Sequence, residues 1–164
     1  MKKERILRSI QKKMKFLVYT LLMVTVISCS SDDNSSSSTT PDGKNLKLTI
    51  TINGLTSEDY VSFVAVGSAN SSSSDTTLWK VNGATLTNEQ AVSLGKNDFI
   101  GSTKTYVIES VKSLKLAQLG MQFLATGTRT YTISYKAEVN GKVVKEDSNV
   151  AVTAQKDYTH DYSY

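Results

Sequence analysis

Cys29 is the only cysteine in this chain of 164 residues, and it carries the strongest chemical signal in the sequence. A thiol can act as a nucleophile, pair with another thiol or accept a covalent group. In an exported chain a single cysteine has no intramolecular partner, so it pairs between chains, stays free or is modified. Cys29 directly follows an apolar run, residues 16–28, and precedes a serine-rich stretch. This position favours covalent modification.

The only histidine, His160, lies among acidic and aromatic residues close to the C-terminus. A metal site needs several convergent His, Cys or carboxylate ligands, so we expect neither a metal nor another cofactor. Serine is abundant enough to supply a Ser-His-Asp triad, but the sequence lacks the Gly-x-Ser-x-Gly motif of many hydrolases. We interpret His160 as a solvated or edge-strand residue.

Two pairs of adjacent carboxylates could in principle cleave glycosides, Glu58-Asp59 and Glu146-Asp147. Neighbouring residues of an extended strand point to opposite faces, and both pairs resemble turn residues. No glycine-rich phosphate loop follows a predicted strand. The sequence therefore predicts a protein without catalytic activity, with a small hydrolase of unrecognised site as the alternative.

Aromatic side chains are the last candidates, with eight tyrosines and one tryptophan. They could form a platform on which sugars stack, or they could fill a core. Trp79 is expected in the core or at its rim. Tyr158, Tyr162 and Tyr164 share a parity and are expected to line one face of a last strand. We favour packing over recognition for these residues.

The first 28 residues have the layout of a secretory signal peptide. They contain seven Lys or Arg and one acid, with the basic residues concentrated before an apolar run of thirteen residues. Thirteen helical residues span about 20 Å at 1.5 Å per residue, whereas a hydrocarbon core is roughly 30 Å thick. Translation starts at Met1 or at Met14, which begins a more ordinary signal.

The end of this signal, Val26-Ile27-Ser28-Cys29, resembles the lipobox of bacterial lipoproteins. Val26 stands where leucine is most frequent and Ile27 is bulkier than usual, whereas Ser28 and Cys29 fit. The resemblance implies that Cys29 is the lipidated first residue of the mature protein and is anchored in the membrane by acyl chains such as palmitate.

The residues after Cys29 predict where the lipoprotein is sorted. Ser30, Ser31, Asp32 and Asp33 resemble the acidic export signal that sends some lipoproteins to the exterior face of the outer membrane. The alternative is that the two aspartates only solvate a linker. Residues 30–45 contain no aliphatic or aromatic side chain, so we expect residues 29–45 to be a lipidated, disordered tether.

The positive formal charge of the whole chain, +4, comes from the signal peptide. Residues 1–28 have a net charge of +6 (seven basic, one acidic), and removing them from 19 basic and 15 acidic residues leaves 12 and 14, or −2. A nucleic-acid-binding domain should keep a basic patch. We therefore expect no nucleic-acid partner.

The folded domain, residues 46–164, shows the period-two alternation of strands in residues 46–53 and 131–139. Asn140-Gly141 follows directly and predicts a type I′ hairpin. Its return strand is expected to place Val144 opposite Ala137 on the buried face and to be interrupted at residues 147–149. Further strands are predicted at residues 60–66, 77–81, 104–109, 112–116 and 121–125, with a mobile loop at 67–77, a short helical turn within 88–99, and an undecided stretch at 117–124.

These elements predict an all-β fold, an antiparallel β-sandwich of about seven to nine strands. The opening Leu-Thr-Ile-Thr-Ile-Asn-Gly-Leu, with Tyr60-Val61-Ser62-Phe63, resembles the first hairpin of immunoglobulin-like and prealbumin-like modules of bacterial surface proteins. The resemblance implies a cell-surface binding or structural module with an unidentified protein or glycan partner. A fimbrial or adhesin-type component that adds an edge strand to a neighbour is the variant of this hypothesis.

We predict that the mature protein begins at Cys29 and carries acyl chains there. Each buried CH₂ contributes about 0.8 kcal/mol to membrane binding, so several chains anchor the protein stably. Mass spectrometry of the mature N-terminus measures this directly. An unmodified N-terminus at any other residue contradicts the prediction.

Overall fold

The computed structural model describes residues 43–69 and 76–164. These residues form ten β-strands and one short helix. No helix in these ranges is both long and apolar enough to cross a membrane. The elements, in chain order, are β1 Leu46–Asn53, β2 Tyr60–Ala69, β3 Trp79–Val81, β4 Ala84–Leu86, β5 Ala91–Gly95, α1 Lys96–Phe99, β6 Lys104–Ser110, β7 Leu114–Leu124, β8 Thr130–Val139, β9 Lys142–Thr153 and β10 Tyr158–Ser163.

The strands form two antiparallel sheets. One has six strands in the order β4-β3-β6-β1-β8-β9, and the other has four in the order β10-β7-β2-β5. Each sheet buries one face against the other, as alternation of apolar and polar residues requires. The predicted all-β sandwich is therefore confirmed, with ten described strands rather than seven to nine.

The core consists of the inward residues of both sheets. Ile50 of β1 and Phe63 of β2 are fully buried. In both strands the residues that alternate with the buried ones point outward. Trp79 is also fully buried, and its indole Nε1 donates a hydrogen bond to the Gln90 carbonyl at 2.8 Å. A Cβ atom on Gly67 would lie 2.9 Å from the Trp79 ring, so glycine at this position makes room for the indole. The expectation that Trp79 packs in the core is confirmed.

The hairpin at Asn140-Gly141 is present. Asn140 has φ of 50° and Gly141 has φ of 77°, the two positive values of a type I′ turn. Asn140 Oδ1 also accepts a hydrogen bond from the Asn45 backbone N–H at 2.8 Å. The turn therefore closes β8 onto β9 and is tied to the residue that precedes β1.

The expected position of Val144 is wrong. The register shifts between Ala137 and Glu138, so Ala137 pairs with Lys145 while Glu138 pairs with Val143. Val144 is the extra residue of this bulge and is 53% exposed. A β-bulge of one residue transfers the following side chains to the other face of the strand.

The expected interruption of the return strand is also wrong. Strand β9 continues through Glu146, Asp147 and Asn149 to Thr153. A second register shift occurs there, and Asn149 has φ of 49°. Asparagine tolerates positive φ, so the polar residues produce a bulge inside a strand instead of a turn. Glu146-Asp147 is therefore a strand pair, whereas Glu58-Asp59 lies in a turn as predicted.

Other boundaries differ from the predictions because burial in the sandwich outweighs local composition. Residues 67–69 of the predicted loop extend β2, while residues 70–75 lie outside the described ranges. The two strands predicted within 112–125 and the undecided stretch between them form the single strand β7. Within 88–99 only Lys96–Phe99 is helical, and Ala91–Gly95 is a strand.

We predict that Gly141→Val destabilises the domain by about 1–3 kcal/mol, because a β-branched residue is strained at positive φ. Chemical denaturation of the chain measures the change. Lys142→Val is the matched control: Lys142 is exposed in the adjoining strand, where valine is well tolerated. Equal midpoints for both variants would contradict the type I′ turn.

Candidate functional site

The outer face of the four-stranded sheet is almost free of charge. Strands β5, β2, β7 and β10 lie side by side, and the residues that pair across them form rows perpendicular to the strands. We call this surface the neutral face. It consists of the outward residues of the four strands, Tyr60, Ser62, Val64, Val66, Ser68, Ala91, Ser93, Gly95, Lys115, Leu116, Gln118, Gly120, Gln122, Leu124, Thr159, Asp161 and Ser163.

Two residues of the neutral face have charged side chains: Asp161 on β10, and Lys115, the exposed bulge residue near the start of β7. Large apolar side chains are exposed on the same surface: Tyr60 is 48% exposed, Val66 44% and Leu116 45%. Val66 and Leu116 lie in adjacent rows, whereas Tyr60 lies six residues from Val66 at the other end of the face. Exposed apolar residues with few charges are typical of interaction surfaces. The strand alternation creates the face, because the residues between these positions are buried in the core.

The outer face of the six-stranded sheet is different. It carries an ion pair between Lys80 and Glu109, with Nζ and Oε2 separated by 3.3 Å. A second pair joins Lys136 to Glu138 at 3.7 Å. The two outer faces of one sandwich therefore differ in charge, and the neutral face is a local feature of β5, β2, β7 and β10.

Gly120 shapes the centre of the neutral face. Gly120 pairs with Val64 on one side and with Asp161 on the other. A Cβ atom on Gly120 would lie 3.3 Å from Asp161 Oδ1 and near no other atom outside its own chain neighbours. Gly120 therefore leaves a shallow depression beside Val64, with the Asp161 carboxylate at its rim.

A second cluster lies where β10 approaches β8 and β9. We call Tyr135, Tyr158, His160, Tyr162 and Tyr164 the tyrosine seam. The Tyr158 hydroxyl donates to Asp147 Oδ2 at 2.7 Å, and Lys145 Nζ donates to Asp147 Oδ1 at 2.9 Å. The Tyr135 and Tyr164 hydroxyls are 2.8 Å apart. These hydrogen bonds connect the edge strand of one sheet to the other sheet.

Ring contacts continue along the seam. His160 lies 4.4 Å from Tyr158 and 5.6 Å from Tyr162 between ring centroids, and Tyr162 stacks on Tyr135 at 5.7 Å. Burial and the bond to Asp147 raise the pKa of the Tyr158 hydroxyl, and the Lys145 ammonium lowers the pKa of the Asp147 carboxyl. His160 is thus an edge-strand residue as predicted, and the tyrosines that share a parity do line one face of the last strand. Their contacts are those of packing.

A third polar group lies at one end of the sandwich. Asp59 is 3% exposed, and its Oδ2 accepts hydrogen bonds from the Thr56 backbone N–H at 3.0 Å and hydroxyl at 2.8 Å. Its Oδ1 accepts from the Thr126 N–H at 3.1 Å. Burial alone would raise the pKa of this carboxyl, but the bonds from Thr56 and Thr126, with Arg129 nearby, hold the pKa below its usual value.

Asp59 joins two loops through its hydrogen bonds to Thr56 and Thr126, which was not predicted from the sequence. The spacing Thr56-x-x-Asp59 was a usable signal for a local turn, since Asp side chains often bond to nearby backbone groups. The bond to Thr126 was not predictable, because it joins the β1–β2 loop to the β7–β8 loop 67 residues away.

The residues of the lipidation and export predictions, Cys29, Ser30, Ser31, Asp32 and Asp33, lie outside the described ranges. Within residues 43–69 and 76–164, no three His, Cys, Asp or Glu side chains come together as metal ligands.

These features define an antiparallel β-sandwich domain with one charge-poor outer face. Its fold is similar to that of a DUF4425 family protein from Bacteroides ovatus, with a TM-score of 0.51 and 11% identity over 74% of this chain and 94% of that one. It is also similar to a DUF4425 domain of unknown function from Bacteroides vulgatus, with a TM-score of 0.50 and 9% identity over 75% and 94%.

A protein from Parabacteroides distasonis, solved by NMR in its calcium-bound form, has a TM-score of 0.53 and 14% identity over 81% of this chain and 99% of that one. At such identities the likeness extends to the fold alone. No protein-family model matches the chain, and no curated protein matches it.

We predict that Asp59→Asn lowers the free energy of unfolding by about 2–3 kcal/mol at pH 7, since it weakens hydrogen bonds to a charged acceptor. Because the pKa of Asp59 is lower in the folded state, its contribution is complete above about pH 4–5 and is lost as the pH falls through the folded value.

Denaturation of both proteins from pH 7 to pH 2 measures this effect. The stability difference should shrink on acidification. Glu58→Gln is the control, because Glu58 is an exposed neighbour that pairs with Arg129 at 3.0 Å. A difference between Asp59→Asn and the parent that is constant with pH would contradict the role of the charge.

Proposed function

We propose that this protein is a non-catalytic lipoprotein of the bacterial outer envelope whose β-sandwich binds another macromolecule through the neutral face. The lipid on Cys29 would hold it in the outer membrane, and Ser30, Ser31, Asp32 and Asp33 would direct it to the exterior. Residues 30–43 would let the domain reach roughly 20 Å from the surface, the mean span of fourteen flexible residues. The tether is shorter than the predicted residues 29–45, because Lys44 exchanges two backbone hydrogen bonds with Leu114 and so belongs to the folded domain. The neutral face is the observation that carries the binding role.

Covering the exposed apolar side chains of the neutral face would stabilise a complex. Tyr60, Val66 and Leu116 each keep 44–48% of their surface in water, and removing apolar area from water contributes about 25 cal/mol per Å². Interface centres are depleted in charged residues and enriched in aromatic ones. The neutral face combines exposed apolar side chains with a single carboxylate, so a partner can cover it without burying many charges.

Calcium is not included in this proposal. One structural neighbour was solved in a calcium-bound form, and calcium needs six to eight oxygen ligands. The described residues gather no cluster of three acidic side chains, and both carboxylate oxygens of Asp59 already accept hydrogen bonds.

The small hydrolase remains the candidate from another class. It requires a cleft with ionisable groups of shifted pKa. The carboxyls with a lowered pKa, Asp59 and Asp147, are engaged by Thr56, Thr126, Lys145 and Tyr158. In the described part of the chain these are structural bonds, so no observation there favours a hydrolase.

Strand addition at β10 is a second candidate binding mode. Strand β10 pairs with β7 without a register shift and has no strand neighbour on its other side in the described sheets. Tyr164 and Ala117 exchange both backbone hydrogen bonds, so by antiparallel alternation the N–H and C=O groups of Asp161 point to the free edge. An extended partner segment could pair there.

We predict that Val64→Lys abolishes partner binding without unfolding the domain. A lysine in the centre of the covered face would place a long charged side chain between the two surfaces, and the nearby Asp161 carboxylate would offset only part of its desolvation. Each 1.4 kcal/mol lost is tenfold in affinity, so capture should fall by about tenfold or more. Cross-linking on intact cells, followed by mass spectrometry of the captured proteins, compares this variant with the parent.

Val107→Lys is the matched control. Val107 is also half-buried and also points outward, but it lies on β6 of the other sheet. Capture that is equal for parent, Val64→Lys and Val107→Lys would overturn the neutral face as the binding site. If Asp161→Pro alone removes capture, the edge of β10 is the site, because proline lacks the outward N–H.

A further inference from the structure

We infer that the partner of the neutral face is the neutral face of a second copy of this chain. The two sheets would pack face to face about a two-fold axis that runs parallel to the strands, above the boundary between β2 and β7. This inference rests on the proposed function, since it identifies the macromolecule that covers the same surface.

Charge favours a second copy over a charged partner. A strongly charged surface would lose its hydration against uncharged side chains without gaining ion pairs, which is costly. Two neutral faces avoid this cost. Self-association through one patch requires that the patch be complementary to itself. Each residue must therefore fit the residue that it faces across the two-fold axis.

The rows of the neutral face are self-complementary when their order is reversed. Ser93, Val64, Gly120 and Asp161 lie in one row across the sheet. Rotation about an axis parallel to the strands and between β2 and β7 places this row over its own reverse. Val64 then faces the depression at Gly120 of the second copy, and Gly120 faces the second Val64. Each knob meets a hole twice, as in close-packed sheet interfaces.

The neighbouring rows follow the same rule. Ser62 and Gln122 belong to one row, Val66 and Gln118 to the next. Reversal places Ser62 opposite Gln122, so a hydroxyl meets a side-chain amide that can donate and accept hydrogen bonds. It also places the exposed Val66 opposite the aliphatic part of Gln118. In these rows smaller residues face larger ones, whereas in the end row the large side chains of Tyr60 and Leu124 face each other.

The position of Asp161 favours a two-fold axis parallel to the strands over one perpendicular to them. Asp161 lies on the edge strand β10, and Ser93 lies on the opposite edge strand β5. In the proposed pair Asp161 faces the Ser93 hydroxyl of the second copy, and the two Asp161 side chains are three strand spacings apart, about 14 Å. That exceeds the screening length of about 8 Å at physiological salt. An axis perpendicular to the strands would bring β10 onto β10 and the like charges together.

The area agrees with a dimer of moderate affinity. Strands β2, β5, β7 and β10 have 10, 5, 11 and 6 residues, and each residue covers about 3.3 by 4.8 Å of a sheet, so the footprint is roughly 500 Å² on each copy. The total of about 1,000 Å² is at the lower limit for a specific interface. Anchoring both copies to one membrane would raise their effective concentration.

Cysteine cross-linking in cells that express the full chain tests the arrangement. In the double variant Ser93→Cys with Asp161→Cys, each new thiol faces its counterpart across sheets about 10 Å apart. A bifunctional maleimide that spans this gap, but not the roughly 14 Å between the two edge strands of one chain, should give a covalent dimer. Either single variant should stay monomeric, and the parent reports any reaction of Cys29.

Two further variants test specificity. Adding Val64→Lys to the double variant should remove the cross-linked dimer. A second set of variants has no cysteine substitution. In Ser93→Asp the new carboxylate faces Asp161 of the second copy, so the yield of dimer after amine cross-linking should fall. Combining Ser93→Asp with Asp161→Ser should restore it. These side chains lie on opposite edges of one sheet, so such a rescue must act between copies.

The outcomes separate the two proposals. Dimer formation by the double variant but not by the single variants supports the two-fold pair. Equal cross-linking of the single variants, or of a Val107→Cys with Glu146→Cys pair, which is also three strand spacings apart in one row of the other sheet, overturns it. If the double variant gives no dimer while Val64→Lys still abolishes capture of a different protein, the second copy is overturned and the binding role of the neutral face stands.

Discussion

Burial of one face of each sheet against the other is the interaction on which this domain depends. The only cysteine, Cys29, lies in front of the sandwich in the sequence, so no disulfide can stabilise it. Stability must come from inward side chains such as Ile50, Phe63 and Phe123, which are fully buried. Hydrogen bonds then fix how the sheets meet: the tyrosine seam connects β10 to β8 and β9, and Asp59 joins two loops at one end.

Alternation has a second consequence, which concerns the outward residues. Positions that alternate with a buried core are free to vary in character, since they do not determine the fold. On the six-stranded sheet they carry Lys80–Glu109 and Lys136–Glu138 ion pairs. On the four-stranded sheet they carry almost no charge. The contrast between two surfaces under the same folding constraint is the reason to relate the neutral face to binding.

Two of the four edge strands, β9 of one sheet and β10 of the other, also differ in how they are protected. Strand β9 is long, but it contains two bulges and the lysines Lys142 and Lys145. Bulges and lysines are the usual protection of an edge against unwanted pairing. Strand β10 has regular pairing and is protected only by its short length and by Asp161. The edge of β10 therefore remains the more open of the two to another strand.

From the sequence alone we could predict the class of fold, the two best strands, the type I′ hairpin at Asn140-Gly141 and the inward position of Trp79. These features depend on local rules: period-two alternation, residues that accept positive φ and the burial of large aromatics. The prediction of lipidation at Cys29 has the same local character. Three features became visible only in the folded chain: the bulge that turns Val144 outward, the continuity of β7 and the bond from Thr126 to Asp59. The gathering of mostly uncharged residues from β5, β2, β7 and β10 on one surface is a fourth, because strands that are distant in sequence become neighbours only through sheet order.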